Sequence, residues 1–356
     1  MSVVDAAHPS DVGSPPAGAE RRGGSDYAAL SQQIRAAGLL ERRPGAYAVK
    51  IAATAALFVG ACALVAVLGD SWWQLLAAVV LGVAFTQAAF LGHDGGHQQI
   101  FASRRANDLF GRTTGNLLVG LSFGWWVGKH NRHHANPNKE EHDPDIGDAV
   151  LAFTTNQVAA RTGRVGQAII RWQAWLFFPL LTLEGLHLHV ASVRAVLPGS
   201  ERSARGGSRL TEALLLTLHA VVYLGTVFLL MSPGKAVAFI LIHQAIFGLY
   251  MGCSFAPNHK GMRTFEAHEN IDFLRRQVLT SRNVRGSVAV DWLLGGLNYQ
   301  IEHHLFPNMP RPTLRRAAHL VREHCQFHGI AYTETSLVGS YRAALGYLNS
   351  LGAPLR

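Results

Sequence analysis

Four stretches of this chain are apolar over the length that a helix needs to cross a lipid bilayer. Residues 47–68 carry one charge, Lys50, near their start, and residues 72–92, 214–231 and 236–256 carry none. Crossing about 30 Å of hydrocarbon takes about 20 helical residues, because each backbone polar group must be satisfied within the segment. Helices buried in soluble domains rarely run that far without a charge. Only 15% of the 356 residues are charged, against about 25% in an average soluble protein. A disordered chain and an ordinary soluble enzyme are both excluded. The expected fold is an all-α integral membrane protein with four transmembrane helices.

The joints between these runs predict their topology. Gly69-Asp70-Ser71 links the first two, and Ser232-Pro233-Gly234-Lys235 links the last two. The spans therefore read as two hairpins. Of 32 Lys and Arg residues, only Lys235 falls in a joint. Basic residues mark the cytoplasmic side, so the segments opposite the joints are expected to form a helical cytoplasmic cap. Residues 117–128 and 174–183 are shorter apolar runs, of a length typical of interfacial or re-entrant segments. A fifth span over residues 168–190 is rejected, because it would move residues 257–356 and their 12 basic residues across the membrane.

The ends and the charge balance complete the outline. Residues 1–45, rich in Gly, Ala, Ser and Pro, are expected to be a loose cytoplasmic segment, disordered over 1–25. No basic, apolar leader pattern opens the chain, so no signal peptide is read there. Residues 46–325 form the expected working domain and residues 326–356 a cytoplasmic tail. The net charge is +9, but the basic residues lie between apolar runs, which favours membrane lipids as partners and argues against nucleic acid. Cys62, Cys253 and Cys325 form no CxxC pair. Neither a disulfide framework nor a thiolate zinc site is expected.

The 18 histidines are clustered. His93 and His97 stand four residues apart at the end of the second span, on one helical face. His130, His133 and His134 repeat that spacing. His303 and His304 do so again, with Gln300 in the leading place. His259 follows the fourth span. Neutral imidazole suits iron, zinc, copper and nickel. Seven imidazoles in three clusters exceed what one zinc takes, so two metals are expected. His187, His189, His219, His243, His319, His324 and His328 are read as packing or surface groups.

The clusters resemble the three histidine boxes of the membrane fatty acid desaturase family, HxxxH, HxxHH and [HQ]xxHH. The flanking wording agrees in Gly92-His93-Asp94-Gly95-Gly96-His97-Gln98, in His142-Asp143-Pro144-Asp145, in Asn258-His259-Lys260-Gly261-Met262 and in Asn298-Tyr299-Gln300-Ile301-Glu302-His303-His304-Leu305-Phe306-Pro307. The resemblance covers roughly residues 45–325 and points to acyl-CoA or linoleoyl-CoA desaturase-like members. It implies a non-haem centre of two iron ions, with O2 as co-substrate. The implied ligands are His93, His97, His130, His133, His134, His259, His303 and His304. Gln300 is the departure, a weak ligand or a more open position, and it favours a front-end specificity over Δ9. Asp94, Asn258 and Glu302, with Asp143 and Asp145, are candidates to support ligands from behind.

A fatty acyl-CoA or acyl-lipid is the implied substrate, and a cis alkene the implied product. A separate electron donor of ferredoxin, cytochrome b5 or flavin-reductase type is implied, since the chain shows neither a GxGxxG fingerprint nor a His-Pro-Gly-Gly motif. The implied location is a bacterial plasma membrane with the site facing the cytoplasm. Trp125, Trp126, Phe123, Tyr250 and Phe255 could line an acyl channel, though the tryptophans read better as an interfacial belt. Arg104, Arg105, Lys129, Lys260 and Arg263 could meet anionic groups. A di-iron hydroxylase or ketolase is the alternative enzyme. A metal-transporting membrane protein is the alternative of another class, disfavoured because its site would lie near the midplane.

Overall fold

The structure is a computed structural model and describes residues 25–147 and 150–356. It is helical almost throughout. In chain order the helices are α1 (Asp26–Ala36), α2 (Pro44–Leu68), α3 (Gln74–Gly96), α4 (Arg104–Arg112), α5 (Phe123–Ala135), α6 (Thr155–Ala160), α7 (Arg164–Arg171), α8 (Gln173–Leu181), α9 (Glu184–Ala195), α10 (Arg209–Leu230), α11 (Pro233–His259), α12 (Phe273–Leu279), α13 (Val288–Leu293), α14 (Gln300–Leu305), α15 (Leu314–Phe327) and α16 (Leu337–Gly352). A π-helix, Thr113–Val119, lies between α4 and α5. Two short parallel strands, β1 (Asn283–Val284) and β2 (Glu334–Thr335), pair across the C-terminal region.

Helices α2, α3, α10 and α11 are long and apolar enough to cross a membrane, as the four apolar runs predict. They are not equivalent. The apolar window of α3 is 67% buried and that of α2 only 11%, so α3 is the central helix. Helix α2 packs on one side of it and α11 on another. The outer faces of α2 and α10 expose Val59, Val67, Val221 and Leu229, which suits contact with lipid rather than water. Asp70 accepts hydrogen bonds from the Ser232 backbone N–H at 2.8 Å and its hydroxyl at 3.0 Å, and pairs with Lys235 at 3.1 Å. The two short joints therefore touch. His93 and His259 lie at the opposite ends of α3 and α11.

The run at 174–183 falls in α8 and the bend after it. Helices α8 and α9 meet at 66°, with Pro179 inside α8, where the missing N–H and the ring disturb the helix. The run at 117–128 divides between the π-helix and the start of α5.

Both terminal segments are tied to the rest of the fold. Part of the N-terminal stretch expected to be loose is an ordered helix: Ser25 caps α1 by accepting from the Ala28 N–H, and Leu30 and Ile34, four apart, are fully buried with Leu274, Val278, Leu305 and Val321. One apolar pair in an Ala- and Gln-rich background gave little periodicity to read. The expectation of disorder over 1–25 falls almost wholly outside the described residues. The C-terminal stretch, expected as a cytoplasmic tail, is bonded to α11 through α16. In α16, Ser340 donates to the Pro257 carbonyl at 2.6 Å and Tyr341 to the Cys253 carbonyl at 2.6 Å.

One buried carboxylate ties the lower elements together. Glu212, in the first turn of α10, accepts from Asn116 Nδ2 at 3.0 Å, Ser122 Oγ at 3.1 Å, the Gly124 N–H at 2.9 Å and Arg202 Nε at 2.8 Å. It is fully buried. It thereby anchors the N-terminus of α5, the helix that carries the second histidine cluster. Glu212→Leu leaves Arg202 without its counter-charge. Breaking a buried pair costs about 3–5 kcal/mol, so the detergent-solubilised variant is expected to melt well below the parent; an unchanged melting temperature refutes this role.

Candidate metal centre

Each histidine cluster is presented by a different element, and all converge. His93 lies in the last turn of α3, and His97 caps it, with its N–H on the His93 carbonyl at 3.0 Å. His130, His133 and His134 occupy the last two turns of α5. His259 ends α11, and His303 and His304 sit in the short α14. Ring centroids are 4.8 Å apart for His93 and His303, 4.9 Å for His97 and His130, 4.7 Å for His259 and His304, and 4.2 Å for His134 and His304.

The ring nitrogens form two groups. One nitrogen from each of His93, His97, His130 and His303 lies within 4.8 Å of the others, and His133, His259 and His304 form a second such set. His134 stands between them, its Nε2 3.0 Å from His130 Nε2. Gln300 joins the second group, with Nε2 3.0 Å from His259 Nε2. Spacing predicts seven imidazoles and the family resemblance adds His259; the structure divides them.

Oxygen acceptors on the outer nitrogens orient the second group. His133 Nδ1 donates to Asp143 Oδ1 at 2.9 Å, His259 Nδ1 to the Thr280 carbonyl at 3.0 Å, and His304 Nδ1 to Gln277 Oε1 at 3.0 Å. That pattern assigns the proton to Nδ1 and turns the Nε2 lone pair inward, as a metal ligand requires. In the first group, His93 Nδ1 lies 3.5 Å from Asp94, whose carboxylate pairs with Arg311 at 2.7 Å.

Burial and neighbouring rings hold His97, His130, His134, His303 and His304 well below the ordinary imidazole pKa. Their neutral state is the metal-binding one. Burial also opposes charge on His133, but the Asp143 carboxylate, with Asp145, outweighs it and raises the pKa. Buried nitrogens on five rings have no hydrogen-bond partner among the described residues: Nε2 of His93, His97, His303 and His304, and Nδ1 of His134. Unpartnered buried polar atoms are costly, and here they converge on one another. The residues present fit a metal centre.

Not every supporting residue stands where the sequence analysis places it. Asp94 and Asp143 touch imidazoles as expected. Asn258 reaches the site only through Gln300, donating to its Oε1 at 3.3 Å. Glu302 contacts no imidazole. It points the other way and accepts from Asn283 Nδ2 at 2.7 Å and the Tyr332 hydroxyl at 2.9 Å, and burial pushes its pKa up to about 7. In a helix with His303 and His304 facing the cluster, position 302 faces the core. Trp126 is not a belt residue: its ring stacks on His130 at 4.6 Å and lies 5.3 Å from His93. A Cβ on Gly96 would come within 2.4 Å of that indole, so only glycine fits there.

Sequence reasoning missed Gln277, Arg311 and Asn138. Gln277 bonds His304 and also donates to the His134 carbonyl at 3.0 Å. Asn138, in left-handed backbone at φ 52°, donates to the His259 carbonyl at 3.1 Å while its N–H meets Asp143 at 2.7 Å. Positive φ is tolerated best by Asn among non-glycine residues. None of the three belongs to a histidine-spaced motif.

A narrow apolar cavity reaches the first group. Gly92, His93, Gly115, Val119, Leu121, Phe123, Trp126, Met251 and Phe255 line it. Of the five aromatic residues considered for a channel, Phe123, Trp126 and Phe255 line it, whereas Tyr250 accepts from Gln87 at 2.8 Å.

Comparison with known proteins agrees with this geometry. The chain is 33% identical over 313 residues to a Caenorhabditis elegans protein named Delta(5) fatty acid desaturase fat-4, covering 85% of this chain and 68% of that one. It is 32% identical over 287 residues to the Delta(6)-fatty-acid desaturase fat-3 of the same organism, covering 78% and 65%. It is 30% identical over 301 residues to the acyl-lipid (9-3)-desaturase of Physcomitrium patens, covering 82% of this chain and 56% of that protein. The chain thus spans little more than half of the moss protein. The fatty acid desaturase family model matches residues 70–336, and the chain belongs to that family.

Proposed function

We propose that the protein is an O2-dependent desaturase that introduces a cis double bond into a fatty acyl chain. The observation that carries this reading is the convergence of eight imidazoles at the end of an apolar cavity. Two iron ions are the metals proposed. His93, His97, His130 and His303 would hold one and His133, His259 and His304 the other, with His134 between them and Gln300 beside His259. Such a pair, with O2 and electrons, supplies an oxidant strong enough to take hydrogen from an unactivated methylene. Two hydrogens leave adjacent carbons, O2 becomes two waters, and two further electrons and two protons are consumed. The electrons come from a ferredoxin, cytochrome b5 or flavin-reductase type of donor.

The chain's own residues bind and place the substrate. The cavity excludes water and holds methylene groups against His93, Trp126 and Phe255, where sub-ångström placement governs the outcome. Asp143, Gln277 and the Thr280 carbonyl hold His133, His304 and His259 oriented, and burial keeps most of the imidazoles neutral. By the distribution of basic residues the site faces the cytoplasm, with the touching joints on the other side; the location proposed is a bacterial plasma membrane, as the family resemblance implies. The similar proteins named Delta(5), Delta(6) and Delta(8) and the glutamine at position 300 support a front-end specificity. The carrier of the acyl chain is CoA or a lipid.

Lipid analysis of an expressing host tests the reaction. One acyl class is expected to become two hydrogens lighter, with a new cis double bond. A gain of one oxygen atom instead moves the assignment to a hydroxylase, and iron uptake into liposomes without any product moves it to a transporter.

Metal analysis of the purified chain tests the centre. A pair of irons per chain is expected, and a single zinc without iron refutes the di-iron reading. His304→Ala is expected to abolish turnover. Gln277→Leu removes the acceptor behind His304, and such losses cost about 10–100-fold in metal affinity or activity. Glu302→Gln, which touches no imidazole, is expected to keep its iron; if it loses iron as readily as Gln277→Leu does, the division between supporting and core-facing residues is wrong.

A further inference from the structure

His189 and His219 lie outside the histidine clusters and take no part in the metal centre. Their ring neighbours are Phe85, Tyr223, Phe247 and each other. Both nevertheless converge on one short element, the π-helix Thr113–Val119. His219 Nδ1 lies 3.0 Å from the Leu117 carbonyl, and His189 Nε2 lies 3.1 Å from the Val119 carbonyl. One ring comes from α10 and the other from α9.

A π-helix is a wider, rarer coil than an α-helix and is frequent at functional sites. Its last carbonyls lack partners within the helix. Here, in apolar surroundings, leaving them unpaired is costly; His219 donates to the Leu117 carbonyl, while the single N–H of a neutral His189 ring is shared between the Val119 carbonyl and the Gly185 carbonyl, 2.7 Å from its Nδ1. Gly120 closes the turn at φ +78°, and a Cβ on it would fall 2.6 Å from His219 Nε2 and 3.1 Å from His189 Nε2. The glycine, the carbonyls and the two rings therefore fit together as one unit. Ser192, one turn beyond His189, adds a bond to the Ser122 N–H at 2.9 Å.

The turn they hold is a wall of the acyl cavity. Gly115, Val119 and Leu121 line the cavity together with His93. Moving the turn changes how deep a chain can enter before it meets that wall, and so which methylene lies beside the metal centre.

We propose that His189 and His219 are specificity-determining positioning residues: His219, by donating to the Leu117 carbonyl, and His189, by packing its ring against Val119 and Gly120, fix the turn that sets the depth of the acyl cavity. The proposal rests on the acyl-desaturase reading. It adds that the choice of chain length and bond position is controlled from two histidines that touch neither substrate nor metal.

The test uses the full-length purified protein and a homologous series of saturated acyl chains, presented anaerobically as CoA thioesters and as lysophospholipids. Affinity is measured against chain length for the parent, His219→Leu, His189→Leu and His219→Asn, with iron content measured alongside. The parent is expected to show an optimum chain length. Both leucine variants, which lack the imidazole, are expected to keep their iron and change the preference between neighbouring lengths by about tenfold, the scale that one or two methylenes are worth in an apolar pocket. His219→Asn restores a donor and is expected to return the optimum towards that of the parent. An optimum unmoved in the leucine variants overturns the proposal. So does loss of iron and of all acyl binding in every variant, the asparagine included, because the rings would then serve only folding. A parent that binds the chains with a length optimum but forms no alkene when O2 and a reduced electron donor are both supplied overturns the desaturase reading alone.

Discussion

Eight imidazoles packed within ring-contact distance can coexist only if nearly all of them are neutral. Two protonated rings 4 Å apart would repel by about 4 kcal/mol even at an effective dielectric constant of 20. Burial and mutual proximity push most of these rings well below their ordinary pKa, so the repulsion never arises. Neutrality alone leaves each ring free to choose its tautomer. Asp143, the Thr280 carbonyl and Gln277 remove that freedom for His133, His259 and His304. The rest of the fold can be understood as what brings those acceptors to the outer side of the rings.

Membrane-length helices and the core around α14 share that task. Helices α3 and α11 deliver His93 and His259 at the same end because both run from joints that are bonded to each other through Asp70. The third cluster arrives from a different direction. Helix α14 is a six-residue helix with all six residues buried, too short to hold position alone. It is held by the apolar core it shares with α1, α12 and α15 and by Arg311, which bridges Asp94 and the Phe90 carbonyl on α3. The ordered α1 belongs to this support: the Tyr27 hydroxyl donates to the Leu305 carbonyl at 3.0 Å.

The legible part of the structure was its periodic part. Four long apolar runs predicted the long helices, and i, i+3, i+4 spacing predicted which histidines share a face. Both are local patterns. What stayed hidden was non-local or aperiodic. Gln277 is 27 residues from His304, and nothing near it in sequence marks it. Glu302 sits inside a histidine motif yet faces the core, because a six-residue helix still has two sides. Trp126 reads as interfacial by composition, but its place depends on glycine at position 96, across a contact between α3 and α5. Helix α1 rests on a single apolar pair, below what periodicity can reveal. The separation of the imidazoles into a group of four and a group of three lies in no spacing at all.

That separation makes the two halves of the centre unequal. The apolar cavity is lined by His93, from the group of four, and by none of His133, His259 or His304. The group of three lies on the other side of His134, backed by Asp143, Gln277 and Thr280. Gln300 occupies the place where a fourth imidazole would complete it, and the Asn258 amide holds its oxygen. An acyl chain entering the cavity, as proposed, would meet the four-imidazole side first. The side that carries the glutamine is turned away from the chain and embedded among polar supports. Substitution at position 300 thus acts on the proposed reaction through the electronic character of the farther metal rather than through the shape of the cavity, while the shape is left to the turn that ends at Gly120.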